Sequence, residues 1–164
     1  MTRVYLGIGS NVDPETNLRL AIRELRHRYG AITISPVYLN KSLGFDGDDF
    51  LNLVVALDTE DSVEQVAALI EGIHGRAGRV RDEARFASRS LDIDILMYGR
   101  RVSEGPPAKL PRPDILQYSF VLKPLADIAP TETHPETGAS FARHWRDMER
   151  LGTHPLRRVT LDLY

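Results

Sequence analysis

The sequence predicts an α+β fold with a ferredoxin-like core, an antiparallel sheet covered by helices in three layers, α/β/α. Three observations carry this expectation. Element patterns follow one another as strand, helix, strand, strand, helix, strand, which is the order of that core. The strongest strand pattern, Phe50–Thr59, alternates Phe50, Asn52, Val54 and Ala56 on one face with Leu51, Leu53, Val55 and Leu57 on the other. A chain of 164 residues is long enough for one substantial core and short for two, so residues 1–164 read as a single domain.

Taken in order, residues 4–8 read as a buried strand, Gly9-Ser10-Asn11 as a turn, and Pro14 as the opening of a helix whose first turn suits proline. Leu18, Ile22 and Leu25 give that helix one apolar stripe at i, i+4 and i+7. Gly7-x-Gly9-Ser10-Asn11 lacks the lysine of a phosphate loop and the third glycine of a dinucleotide turn, and reads as structural. A second strand is expected over 32–39, followed by a glycine- and aspartate-containing loop of lid size over 40–49. Ser62-Val63-Glu64-Gln65 forms a capping box opening a helix with Val63, Val66, Ile70 and Ile73 inward, ended by Gly75 and Gly78. A strand over 91–96 follows an arginine-rich loop. Pro106, Pro107, Pro111 and Pro113 make 101–113 a loop with at most a short strand. Residues 119–129 read as helical, with Pro124 early or at a kink, 140–150 as the last helix and 157–163 as the final strand.

Composition narrows the chemistry. Hydrophobic residues at 42%, charged residues at 27% and a net charge of −2 fit a globular protein with no global pull toward nucleic acid or membrane, so a polyanion site must be local. The chain has no cysteine, which excludes disulfides, thiolate nucleophiles and iron–sulfur or zinc–thiolate sites. No apolar run approaches the ~20 residues that span a bilayer, and Met-Thr-Arg runs directly into the first strand without signal-sequence character. A cytoplasmic monomer with small-molecule partners, and neither nucleic acid nor membrane, is expected.

The chemistry concentrates between Arg79 and Leu96. In Leu91-Asp92-Ile93-Asp94-Ile95-Leu96 a period of two sends Asp92 and Asp94 to one face, roughly 6.5–7 Å apart along the strand. Two carboxylates at that spacing suit Mg²⁺, which completes its octahedron with water and phosphate oxygens. Arg79, Arg81, Arg85 and Arg89 supply forked donors for phosphates that the metals do not reach. Acid for metal beside base for phosphate reads as phosphoryl transfer; an edge strand with two solvated aspartates beside a charged loop fits the short motif as well.

The run Arg85-Phe86-Ala87-Ser88-Arg89-Ser90-Leu91-Asp92-Ile93-Asp94-Ile95-Leu96 resembles the signature of the 6-hydroxymethyl-7,8-dihydropterin pyrophosphokinases. Tyr5-Leu6-Gly7-Ile8-Gly9-Ser10-Asn11, Asn17-Leu18, Phe50-Leu51-Asn52, Gly78-Arg79-Val80-Arg81 and Phe120-Val121-Leu122-Lys123-Pro124-Leu125 support it in the right order. The resemblance implies transfer of diphosphate from ATP to the pterin hydroxymethyl oxygen, with release of AMP. It implies two Mg²⁺ ions on Asp92 and Asp94, and Arg79, Arg81, Arg85 and Arg89 as catalytic groups on the triphosphate. Phe50 and Phe120 would sandwich the pterin under an aromatic lid at Phe86. Asn52 would bond its amide edge, and the backbone of Asn40 to Leu43 would add contacts.

For the nucleotide, the resemblance points to Glu71, His74, Arg81, Arg85, Arg89, Ile95, Arg112 and Tyr118. Four of these depart from the family pattern. Arg112 stands where histidine is usual, Tyr118 where arginine is usual, His74 at a nucleotide-facing acid and Glu71 at a common glutamine. The departures keep the metal and pterin groups and alter the nucleotide groups. They leave open a paralogue with a changed donor or pterin, a non-catalytic nucleotide binder, and a metal-dependent phosphohydrolase.

Overall fold

The computed structural model describes residues 1–41, 49–78, 91–152 and 155–163. Strand β1 (Thr2–Ser10) pairs antiparallel along its length with β4 (Phe50–Thr59) on one side and β5 (Asp92–Tyr98) on the other. The described sheet has six strands in the order β5-β1-β4-β3-β6, with β2 (Thr33–Ile34) also on β4; β3 spans Val37–Asn40 and β6 spans Arg157–Val159. Helices α1 (Pro14–Tyr29) and α2 (Val63–Arg76) connect the strands of the core in the predicted order. The Ser62 side chain accepts from Gln65 N at 3.2 Å while Ser62 N donates to Gln65 Oε1 at 2.8 Å, so the capping box forms as read.

Burial follows the strand alternation. Val4, Leu6, Ile8, Leu53, Val55, Ile93 and Ile95 meet Leu18, Ile22, Leu25, Val66 and Ile73 of α1 and α2. On the other face Tyr5, Val54, Ala56, Leu96 and Met97 meet α4 (Ser119–Ile128) and α5 (Phe141–Leu151) around Leu122, Leu125 and Phe141. These are the expected three layers. A register shift between Tyr5 and Leu6 bulges β5, so Leu96 and Met97 both turn toward this second core.

Several element boundaries differ from expectation. The first strand runs on through Gly9 and Ser10, which the sequence suggests as a turn, because both pair with β4. The strand expected over 32–39 breaks at Ser35–Pro36, because proline has no N–H for the ladder. Ser35 heals the break: its N–H donates to Val54 O at 2.9 Å and its Oγ accepts from Val54 N at 2.8 Å. The last strand stops at Val159 rather than 163, since β3 offers only Val37, Tyr38 and Leu39 as partners; Leu163 still packs into the core. A short helix α3 (Asp114–Gln117) interrupts the approach to α4. Within α4, Pro124 lies inside the helix and removes one intrahelical bond without ending it.

Candidate active site

The second core does not cover the whole sheet. Where β1 ends and β4 and β5 begin, it gives way to a cavity of about 270 Å³ lined from all three strands and from the segment 112–121. The register explains its floor. Gly9 pairs with Asn52 on one side and Asp92 on the other, and Gly7 pairs with Val54 and Asp94. Two glycines therefore separate the acids of β5 from the amide of β4, and the missing side chains leave the space. A Cβ on Gly9 would stand 2.6 Å from Asn52 Oδ1, closer than packed atoms allow. Gly7 and Gly9 are therefore more than a structural turn, for both line the cavity. Their signal in the sequence was the glycine repeat at period two, which needs the pairing register to acquire meaning.

Asp92 and Asp94 share the cavity face, as the alternation predicts, while Ile93 and Ile95 are in the core beneath. Burial first, and the charge of Asp92 second, push the Asp94 carboxyl up to about 7, with Arg112 opposing. The donor set fits Mg²⁺. Mg²⁺ takes one or two carboxylates and fills its shell with water and phosphate, so Asp92 and Asp94 would suffice to hold it.

On the opposite wall Phe50, Asn52 and Asn40 line the cavity with Phe120 and Tyr118. Asn40 Nδ2 donates to Lys41 O at 3.1 Å, which leaves Asn40 Oδ1 to accept from Asn52 Nδ2. Asn52 therefore keeps its Oδ1 as the acceptor it offers above Gly9. Tyr118 stacks on Phe120, ring centroids 5.0 Å apart and planes 19° from parallel. Asn40, Phe50, Asn52 and Phe120, the residues expected to face a pterin, are thus gathered around one space.

Arg112 lines the same cavity. Its Nη2 lies 3.5 Å from Asp94 Oδ1 and its Nε 3.2 Å from Asp114 Oδ2. Burial works against the cation, but the Asp94 and Asp114 charges hold its pKa above the ordinary arginine value. Asp114 had no signal in the sequence beyond being one acid among many.

The remaining nucleotide expectations fall elsewhere. His74 is buried, and its Nε2 accepts from Ile93 N at 2.8 Å; a backbone N–H can only donate, so that nitrogen carries no proton. Its Nδ1 is turned to Glu71 Oε1 at 3.3 Å. His74 thereby satisfies a backbone donor of β5 between the two aspartates, and neither it nor Glu71 lines the cavity. The Ile95 side chain is in the core under the sheet. Leu43, Arg79, Arg81, Arg85, Phe86 and Arg89 lie outside the described residues.

Fold and site together define the class: a ferredoxin-like α+β enzyme whose cavity sets stacking aromatics opposite paired carboxylates. A family model described as 7,8-dihydro-6-hydroxymethylpterin-pyrophosphokinase (HPPK) matches residues 5–130, and the chain belongs to that family. It is 35% identical over 138 residues to a 2-amino-4-hydroxy-6-hydroxymethyldihydropteridine pyrophosphokinase of Pseudomonas aeruginosa, covering 82% of this chain and 85% of that one. It is 34% identical over 151 residues to the Bacillus subtilis protein of the same name, covering 87% and 89%. Among solved structures, Plasmodium falciparum HPPK-DHPS matches with a TM-score of 0.65 at 13% identity, over 90% of this chain and 43% of that one. That likeness is one of fold, and the chain spans less than half of the larger protein. No helix among the described residues is long and apolar enough to cross a membrane.

Proposed function

We propose that this protein transfers the β,γ-diphosphoryl group of ATP to the hydroxymethyl oxygen of 6-hydroxymethyl-7,8-dihydropterin, using two Mg²⁺ ions held by Asp92 and Asp94. The observation that supports the reading is the row Asn52–Gly9–Asp92 across the sheet, with an amide and a carboxylate on one floor. The hydroxyl oxygen bonds to the β-phosphorus, the bond from that phosphorus to the α-phosphate oxygen breaks, AMP leaves, and the hydroxyl proton is released to water. Phe50 and Phe120 hold the ring, and Asn52 Oδ1 accepts from an N–H on its edge, so the hydroxymethyl group is aimed toward Asp92 and Asp94. Arg112 and the arginines 79, 81, 85 and 89 hold phosphate oxygens, while Tyr118 and the exposed Glu71 are the groups assigned to the rest of the nucleotide. When bound, Mg²⁺ supplies positive charge to the phosphate oxygens and to the attacking hydroxyl.

The test follows AMP in the presence of ATP, Mg²⁺ and the pterin. AMP that requires both pterin and Mg²⁺ supports the reading. Phosphate release without pterin would instead identify a phosphohydrolase. Asp92→Asn and Asp94→Asn should each lower the rate by several orders of magnitude with the fold intact; near-normal turnover in either would remove the two-metal model.

A further inference from the structure

We propose that Arg112 is a built-in counterion of the acid pair: it occupies the place of a cation on Asp94 until nucleotide binds, then transfers to a phosphate while anchored on Asp114. The inference rests on the reading of Asp92 and Asp94 as metal ligands. Among the described residues lining the cavity, Arg112 is the cation and Asp92, Asp94 and Asp114 are the acids. Its backbone is tied beside β5, with Arg112 N donating to Leu96 O at 2.9 Å, so the side chain starts from a fixed point over the acids.

The two carboxylate contacts are unequal. Nε is 3.2 Å from Asp114 Oδ2, whereas Nη2 is 3.5 Å from Asp94 Oδ1. Strong guanidinium–carboxylate pairs form two parallel bonds at about 2.7–2.9 Å, and neither contact reaches that geometry. Nε is moreover buried without an aligned hydrogen-bond acceptor. Arg112 is therefore held by charge rather than by a locked fork, and the Asp94 end is the looser. A divalent cation approaching Asp94 meets that guanidinium first. A polyphosphate beside the site offers it oxygens arranged for forked donation, and its departure from Asp94 frees the carboxylate. Metal and nucleotide then favour each other's binding through one side chain, and the coupling is the same in both directions.

The test measures Mn²⁺, as a probe for Mg²⁺, by electron paramagnetic resonance of the free ion, with and without α,β-methylene-ATP. Nucleotide-free Arg112→Gln should bind Mn²⁺ roughly tenfold more tightly than wild type, from loss of one unit charge at this range. The nucleotide should then enhance Mn²⁺ binding less than it does in wild type, with Arg112→Lys between the two. Equal or weaker Mn²⁺ binding by folded Arg112→Gln would overturn the role of Arg112 alone. Wild type that binds no Mn²⁺ with or without the analogue would overturn the metal reading and this inference with it. A reading that needs no variant comes from the Arg112 side-chain N–H resonances, which should shift when Mg²⁺ and α,β-methylene-ATP are added together and little with Mg²⁺ alone; resonances that stay in place with both present count against the proposal.

Discussion

Gly9 and Asn52 are cross-strand partners, and a Cβ on Gly9 would stand 2.6 Å from Asn52 Oδ1. The glycine is required by the amide opposite it, not by backbone conformation. Gly9→Ala should push Asn52 aside, at a cost of about 1–3 kcal/mol for overpacking, and raise the Michaelis constant for the pterin by roughly tenfold or more with a smaller effect on that for ATP. Gly7→Ala is the comparison: its Cβ meets the flexible end of Leu96 at 3.2 Å and should cost less. Steady-state kinetics on both variants check this.

Removal of His74 should loosen the strand that carries the acids. His74→Ala leaves the buried Ile93 N–H without its acceptor, a loss of about 1–3 kcal/mol. The expected outcome is a lower melting temperature and faster hydrogen exchange at the Ile93 amide. Unchanged exchange at Ile93 would mean that the bond contributes nothing.

The stack of Tyr118 on Phe120 predicts a role for the tyrosine ring. Tyr118→Ala should cost about 0.5–1.5 kcal/mol of ring–ring interaction and weaken pterin binding several-fold by leaving Phe120 unsupported. Tyr118→Phe keeps the ring and should retain pterin affinity, so any loss it shows reports on the hydroxyl. Equilibrium binding of the pterin distinguishes the two.

The acid pair predicts a pH dependence of stability. The folded-state pKa of Asp94 is raised from 3.8 to about 7. Its contribution to stability is therefore present below the unfolded value and lost as pH rises through the folded one. Asp94→Asn, which cannot ionise, should melt above wild type by an amount that grows between pH 4 and pH 8, reaching roughly 2–4 °C or more at the upper end. Thermal melts of the metal-free proteins across that range check it. A difference independent of pH would show that neither burial nor the Asp92 charge opposes ionisation of Asp94.

Much of the fold was legible because it is written in local periodicity. The 50–59 alternation, the Ser62–Gln65 box and the stripe Leu18, Ile22, Leu25 all appear where the pattern places them. Ser35–Pro36 marked a ladder break that alternation alone does not show, and the end of β6 depended on how short its partner β3 is. In the site, the shared face of Asp92 and Asp94 and that of Phe50 and Asn52 were readable from alternation, while Phe120 joined them only through the family resemblance. The position of His74 was not, since a helix residue three places from Glu71 gives no sign that Ile93 N lies within its reach.

The sequence by itself determined the layers, the order of the elements and the face on which the aspartates stand, because each depends on residues a few places apart along the chain. Only the tertiary structure decided what stands opposite them: Gly9 between Asn52 and Asp92, and Arg112 between Asp94 and Asp114. Those relations depend on strand register and on a loop folding back over the sheet. They are fixed by packing between distant segments, where a one-residue slip would turn every side chain of a strand to the other face.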